Sequence, residues 1–308
     1  MNIALKINVS TYRGTRDGVP ALVELLQQHG AGATFLFSLG PDHTGRAVRR
    51  LFRPGFLRRI RRTAAISRYG FPTLVYGTLL PGPDIGRRCA DVMRGVREAG
   101  FETGILAWDP TRWHDHVAGA DEAWTRAEME RARERYREIF GEDARVHGAA
   151  GWQMNRHAYR LTQSLGFDYC SDTRGTSPFV PVYQAEVIAC PQVPTTLPTL
   201  DEIVGRDGTA VEAAADRVLQ SSNEPSESGH VYTVRAELEG MRIKHVFDRM
   251  LGTWREAGHR LVSLADYFEA LPDKNLPRHE VGVEPLPGHS GTLAAQGPAF
   301  LADWQASA

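Results

Sequence analysis

The side chains best placed for chemistry stand at the ends of apolar runs. The segment LKINVSTYRGTRDGVP, from Leu5 to Pro20, closes an apolar-alternating stretch with Asn8 and Ser10, then brings in Thr11, Arg13, Thr15 and Arg16. Further on, Trp108 and Asp109 follow GILA, Trp152 and Gln153 follow GAAG, Asp172 and Arg174 lie in SDTRG, and Arg235, Glu237 and Glu239 lie in TVRAELEG. Arg13, Arg16 and Arg174 can hold phosphate or sugar oxygens through forked hydrogen bonds, with Trp152 stacked on a sugar face. The same arginines can instead pair with Asp172, Glu237 and Glu239 to tie strand-end loops together. Asp109, Glu237 and Arg235 are the polar groups available to a metal-free reaction. His114 and His116 in TRWHDHV would share a face of an extended segment. Two imidazoles without a third partner make a poor metal site, so the alternative is that they are loop or surface residues. His147 and His230 read as structural.

Elements that position these residues are legible from periodicity. Apolar runs IALKINV, ATFLFSL, FETGILAW, ARVHGAAG, FDYCSD, EVIACP, HVYTVRA and HRLVSL alternate with helical segments such as GVPALVELLQQHG, Glu122 to Phe140, NRHAYRLTQSLG and Lys244 to Gly258. Repeated strand-then-helix units predict an α/β fold with a mostly parallel sheet and helices outside it. Gly30, Gly100, Gly166 and Gly258 each follow a periodic segment, where a left-handed helix terminus is expected. Reactive groups in such folds gather at the carboxyl ends of strands, where Asn8, Ser10, Leu106, Trp152, Asp172 and Arg235 fall.

The 308 residues are 42% apolar, enough for one full core. We expect one barrel-like domain over residues 1–271, with an insertion at about 43–83, and a tail. The tail, 272–308, is rich in Pro and Gly and lacks a period, so it reads as loosely attached. A net charge of −1 gives no overall field to recruit nucleic acid. Cys89, Cys170 and Cys190 have no CxxC spacing and read as buried or free thiols, neither a disulfide framework nor a zinc site. Met1 leads within two residues into IALKINV, leaving no room for a signal sequence, and no window approaches a bilayer-spanning length. A cytoplasmic protein is the expectation.

Between His43 and Pro83 there is no acidic residue, while Arg46, Arg49, Arg50, Arg53, Arg58, Arg59, Arg61, Arg62 and Arg68 alternate with Val48, Leu51, Phe52, Phe56, Leu57 and Ile60. At helical spacing this is the composition of an interfacial helix pair on an anionic membrane, with Arg50, Phe52, Phe56, Arg58, Arg59 and Arg62 as contacts. A solvated arginine face is the alternative, and an arginine run without a binding fold is a weak signal for nucleic acid.

Together the strings STYRGTRDGVPALVELL, GRAVRRLFRPGFLRRIRRTAAISRYG, AWD, AAGW, SDTRG, VPTTLPTLDEIVGRD and VYTVRAELEG resemble the 4-deoxy-4-formamido-L-arabinose-phosphoundecaprenol deformylase (ArnD) family of the polysaccharide deacetylase superfamily. The resemblance runs in order from about residue 2 to 271. It implies a distorted (β/α) barrel, a divalent metal such as zinc or manganese, an undecaprenyl-phosphate-linked formamido sugar as substrate, and a site at the inner membrane's cytoplasmic face, in lipid A modification and polymyxin resistance. The chain departs from that pattern at every chemical position. Asn8 stands where the family has its base. Ser10, Leu106 and Pro110 stand where it has metal ligands, Gln153 replaces an arginine, and Arg235 replaces the acid histidine. Leucine and proline have no donor atom, and neutral Asn8 and Ser10 bring no charge to a divalent ion.

The expectation is therefore a deformylase homologue that has lost metal-dependent hydrolysis, needs no cofactor, and keeps a cleft for a lipid-linked or related sugar. It would bind such a sugar itself or partner an active deformylase. A metal-free enzyme using the same cleft, and an active deformylase with unusual ligands, are the alternatives.

Overall fold

The computed structural model describes residues 1–46, 76–78, 80–287, 289 and 291–301. Strand β1 (Asn2–Val9) is buried almost throughout and forms the centre of the main sheet. It pairs in parallel with β2 (Thr34–Ser38), which pairs with β3 (Glu102–Ala107), then β4 (Val146–His147) and β5 (Tyr169–Cys170). On its other side β1 takes β8 (His230–Arg235) along most of its length, while β9 (Arg260–Val262) pairs with the first residues of β1 on the edge that β2 takes further along. All these pairings are parallel, as expected for a sheet buried on both faces.

Helices cross over between the strands: α1 (Val19–Gln28), α2 (Ile85–Arg88), α3 (Ala90–Glu98), α4 (Pro110–His116), α5 (Glu122–Phe140), α6 (Arg156–Ser164), α7 (Leu200–Ile203), α8 (Val211–Ser221), α9 (Lys244–Glu256) and α10 (Leu264–Glu269). Their ends are chemically set. Asp109, Asp121, Asn155 and Ser263 each accept a first-turn backbone N–H, and Thr199 with Glu202 makes a reciprocal capping box. The predicted terminators Gly30, Gly100, Gly166 and Gly258 all have positive φ. The fold class is the expected one, an α/β protein with a curled parallel sheet.

A second sheet has the order β11-β10-β6-β7, from β6 (Val180–Tyr183), β7 (Glu186–Val187), β10 (Arg278–Pro285) and β11 (Thr292–Ala299). Two expectations are corrected here. The run EVIACP contributes β7 to this small sheet, paired antiparallel with β6, and adds no strand to the parallel sheet. Residues 278–299 are not a loose tail: β10 pairs with β6 and β11, and Arg174 N–H donates to the Ala294 carbonyl at 2.9 Å. A two-residue alternation in RHEVGVEP, outweighed in the sequence by flanking Pro and Gly, is the signal that was available.

The insertion leaves and returns at one point above β2. Pro41 and Asp84 form a β-bridge, and Asp42 N–H donates to the Pro83 carbonyl at 2.9 Å. Arg50, Phe52, Phe56, Arg58, Arg59 and Arg62 lie outside the described residues. Among those described, no helix is long and apolar enough to cross a membrane.

Candidate active site

Register assembles the mouth of the curled sheet. Asn8 is paired with Leu36 on one side and with Arg235 on the other. Just past the end of β1 the chain turns under a single carboxylate: Glu237 Oε1 accepts Ser10 N–H at 2.7 Å, Thr11 N–H at 2.8 Å and the Thr11 hydroxyl at 3.1 Å. The approach is so close that a Cβ on Gly14 would stand 2.5 Å from Glu237 Oε1. Burial pushes the Glu237 carboxyl above its ordinary value, with the Ser10 and Thr11 amides pulling the other way. Glu237 is thus the anchor of the strand-to-helix turn, through Oε1.

Asp109 is spoken for in the same way. One oxygen caps α4 by accepting Arg112 N–H at 3.0 Å, and the other meets His43 Nδ1 at 2.6 Å. Arg235 meets the Asp201 carboxylate at 2.9 Å, and its own N–H donates to Glu239 Oε2 at 3.0 Å. Of these three candidates, only Arg235 projects a partly exposed charged group toward the mouth.

The positions at which the resemblance expects metal ligands have the following surroundings. Phe37 faces Ile105 and Ser38 faces Ala107, so Leu106 is the extra residue of a β-bulge and is buried among apolar neighbours. Pro110 is the first residue of α4, where a missing N–H costs nothing. Ser10 offers one hydroxyl, and Asn8 a neutral amide whose buried Oδ1 has no hydrogen-bond partner. These residues do not fit a divalent cation. His114 and His116 supply no replacement, because they lie on helix α4 and not on an extended segment. Two residues span about 200° on a helix, so they diverge. His116 packs on Trp124, while His114 lies 6.4 Å from the His289 ring.

Trp152 is not free to stack on a sugar. It is 1% exposed, closed in by Leu293 and Ala295 of β11, with Arg174 Cζ 5.3 Å and Lys6 Nζ 5.7 Å from its ring centre. Its φ of +52°, beside Gly151 at +64°, marks strain held in place by this packing. Gln153 Nε2 donates to the Thr292 carbonyl at 2.6 Å and so ties β11 to the same turn. Arg174 pairs with Glu202 at 3.4 Å.

Lys6 is a buried group that the sequence reading passed over. It projects from the same face of β1 as Asn8, is 0% exposed, and donates to the Ser171 carbonyl. Burial, with Arg174 and Arg235 nearby, brings its ammonium down to about 7 against the attraction of Asp172. Its even position within an apolar alternation was the available sign of an inward lysine.

Asp172 also departs from expectation. Ile105 is in register with His147, and His147 with Cys170, on the face of the sheet opposite Asn8 and Leu36. Asp172 joins them there: its Oδ1 meets His147 Nδ1 at 2.7 Å, and Gln192 Nε2 donates to its Oδ2 at 3.1 Å. It is fully buried and does not line the mouth. Arg13 and Arg16 lie on the turn before α1, both directed at Asp17, at 3.7 Å and 2.6 Å. They are half-exposed at the rim.

No family model matches the chain. A crystal structure assigned to a polysaccharide deacetylase from Mycobacterium smegmatis superposes with a TM-score of 0.61 over 92% of this chain and 95% of that one, at 14% identity. A CE4 family pseudoenzyme from Bacillus anthracis superposes with a TM-score of 0.52 over 91% of this chain and 69% of that one, at 12% identity. The curled parallel sheet with its strand-end mouth is therefore the polysaccharide deacetylase fold.

Sequence narrows the class. A protein of Shewanella sediminis assigned as 4-deoxy-4-formamido-L-arabinose-phosphoundecaprenol deformylase ArnD is 34% identical over 294 residues, 96% of this chain and 94% of that protein. The chain belongs to the ArnD family.

Proposed function

We propose that this chain binds a lipid-linked or related sugar at the strand-end mouth of its ArnD fold and does not carry out metal-dependent deformylation. The observation that carries this reading is the donor-poor set Asn8, Ser10, Leu106 and Pro110 at the positions where the family resemblance expects a base and three ligands. Three of the four are built into the fold. Leu106 fills a bulge, Pro110 opens a helix, and the Ser10 amide is held by Glu237. Without a base or ligands, the several kcal/mol that a metal lends to such a barrier has no source in these residues.

Arg235, with the rim arginines Arg13 and Arg16, supplies positive charge for sugar or phosphate oxygens. The arginine-rich insertion is rooted beside this mouth, since Tyr12 N–H donates to Asp42 at 2.9 Å where the insertion begins. This supports a peripheral position at the cytoplasmic face of the inner membrane, where a lipid-carried sugar is presented. An intact deformylase is a partner that such a binding role would serve. Metal-free catalysis has less support, because Asp109 commits both oxygens to the Arg112 amide and His43, and Glu237 Oε1 already accepts three donors from Ser10 and Thr11.

Native mass spectrometry of full-length protein extracted with membranes tests the reading. We expect a co-purifying polyprenyl-phosphate sugar that is lost in Arg235→Glu. Protein free of any lipid-linked sugar, or binding unaffected by that change, would overturn it.

A further inference from the structure

On the outer face of the main sheet, away from the mouth, lies a cluster that no part of the proposed function uses. His147 at the end of β4, Cys170 at the end of β5 and Asp172 two residues later each offer one ligand atom, and these atoms lie within 4.8 Å of one another. All three residues are fully or almost fully buried. A fourth donor stands at the edge of the cluster: Cys190, also buried, places its Sγ 3.5 Å from that of Cys170 and 3.5 Å from the Phe167 carbonyl, outside the set whose atoms are all within 4.8 Å, so it must swing inward to join an ion. The four come from three chain segments separated by about twenty residues each.

We propose that His147, Cys170, Asp172 and Cys190 form a structural zinc site that staples β4, β5 and the segment after β7 together. Zinc bonds of about 2.3 Å to sulfur and about 2.0–2.1 Å to nitrogen or oxygen place tetrahedral donor atoms roughly 3.3–3.8 Å apart. The Sγ–Sγ separation of 3.5 Å falls in that range. The His147–Asp172 contact of 2.7 Å need open by only about 0.6 Å to admit the ion. Two thiolates, an imidazole and a carboxylate are all donors zinc accepts in a tetrahedral site, with the carboxylate in place of the second imidazole of a two-cysteine, two-histidine set, and complete burial leaves no position for water or substrate. The chemistry of the cluster without an ion points the same way. Two thiols, an imidazole and a carboxylate share one dry space. A divalent cation is the partner that converts those thiols to stable thiolates. The neighbours Trp113 and Phe167 pack on the His147 ring and fix its orientation.

The site is separate from the mouth, because it lies on the opposite side of the sheet from Asn8, and its existence does not depend on the sugar-binding reading. The test uses full-length protein held reduced, stripped with a chelator and reloaded with zinc or with cobalt alone. We expect about one ion per chain, a cobalt spectrum with thiolate charge-transfer bands, and a melting temperature raised by several degrees on zinc addition. Cys170→Ser and His147→Gln should abolish the bands, while His114→Ala keeps them. If a substitution prevents folding, the stripped and reloaded unmodified protein decides alone. Folded protein that shows neither thiolate bands nor a thermal shift with zinc, or bands that survive Cys170→Ser and vanish in His114→Ala, would overturn the proposal.

Discussion

Asn8 and Arg235 are register partners on neighbouring parallel strands, and the Arg235 guanidinium, directed across the mouth, meets the Asp201 carboxylate at 2.9 Å. Both charges of that pair are mostly buried. Asp201→Ala should therefore cost about 1–3 kcal/mol by leaving Arg235 short of its partner, and Arg235→Leu in the same chain should recover part of the loss. Urea denaturation midpoints of the two single variants and the double variant measure the coupling. Additive losses would show that the pair contributes nothing.

Two buried groups set opposing pH limbs. The ordinary lysine value of 10.5 falls to about 7 at Lys6, so between those values the unfolded chain holds the extra proton and stability rises with pH. The ordinary 4.5 of a glutamate rises to about 7 at Glu239, chiefly by burial. Its contribution is complete below about 4.5 and is lost as pH climbs through 7. Each limb is worth on the order of 3–5 kcal/mol. Lys6→Met should remove the upper limb alone and Glu239→Gln the lower one, read from unfolding free energies between pH 4 and 10.

Much of the architecture could be read before any coordinates. Long apolar runs made β1, β2, β3 and β8 visible because a strand buried on both faces has little else it can be. Glycine stops held because a left-handed terminus selects them. The site was less legible, for a different reason. Trp152, Asp172 and Glu237 are polar or aromatic residues at strand ends, and sequence tells that they sit there but not which way they turn. Alternation by one residue sent Asp172 to the far side of the sheet. The β10–β11 pair, folded over Trp152, was hidden by its own Pro and Gly content. His147, Cys170 and Cys190 meet only in three dimensions, since their separations match no local metal pattern.

Closure of Trp152 by β11 is testable by fluorescence. Leu293→Asp should open the cover, cost about 2–4 kcal/mol of stability, and shift the emission of Trp152 to longer wavelength. The Trp152→Phe variant provides the subtraction that isolates this residue from the other five tryptophans of the chain's six. An unchanged difference spectrum would mean the strand does not seal the indole.

Membrane contact by the insertion should depend on salt. Basic residues near an anionic surface contribute on the order of 1 kcal/mol each, and the Debye length contracts from about 10 Å at 0.1 M to about 3 Å at 1 M. We expect co-sedimentation with anionic vesicles at low salt, loss at high salt, and loss in Arg58, Arg59, Arg61 and Arg62→Glu without any change in melting temperature. Protein that stays in the supernatant at low salt would identify the stretch as a solvated face.

Formate release tests the central claim most directly, because a metal held elsewhere in the fold would confuse an elemental count. Full-length protein would be given undecaprenyl-phosphate-linked formamido-arabinose with zinc or manganese. It would be compared with the restored variant Asn8→Asp, Ser10→Asp, Leu106→His and Pro110→His. The account predicts bound substrate and no formate above a protein-free blank from the unmodified chain. Metal-dependent formate release by the unmodified chain, at a rate comparable to an intact ArnD enzyme, would contradict it.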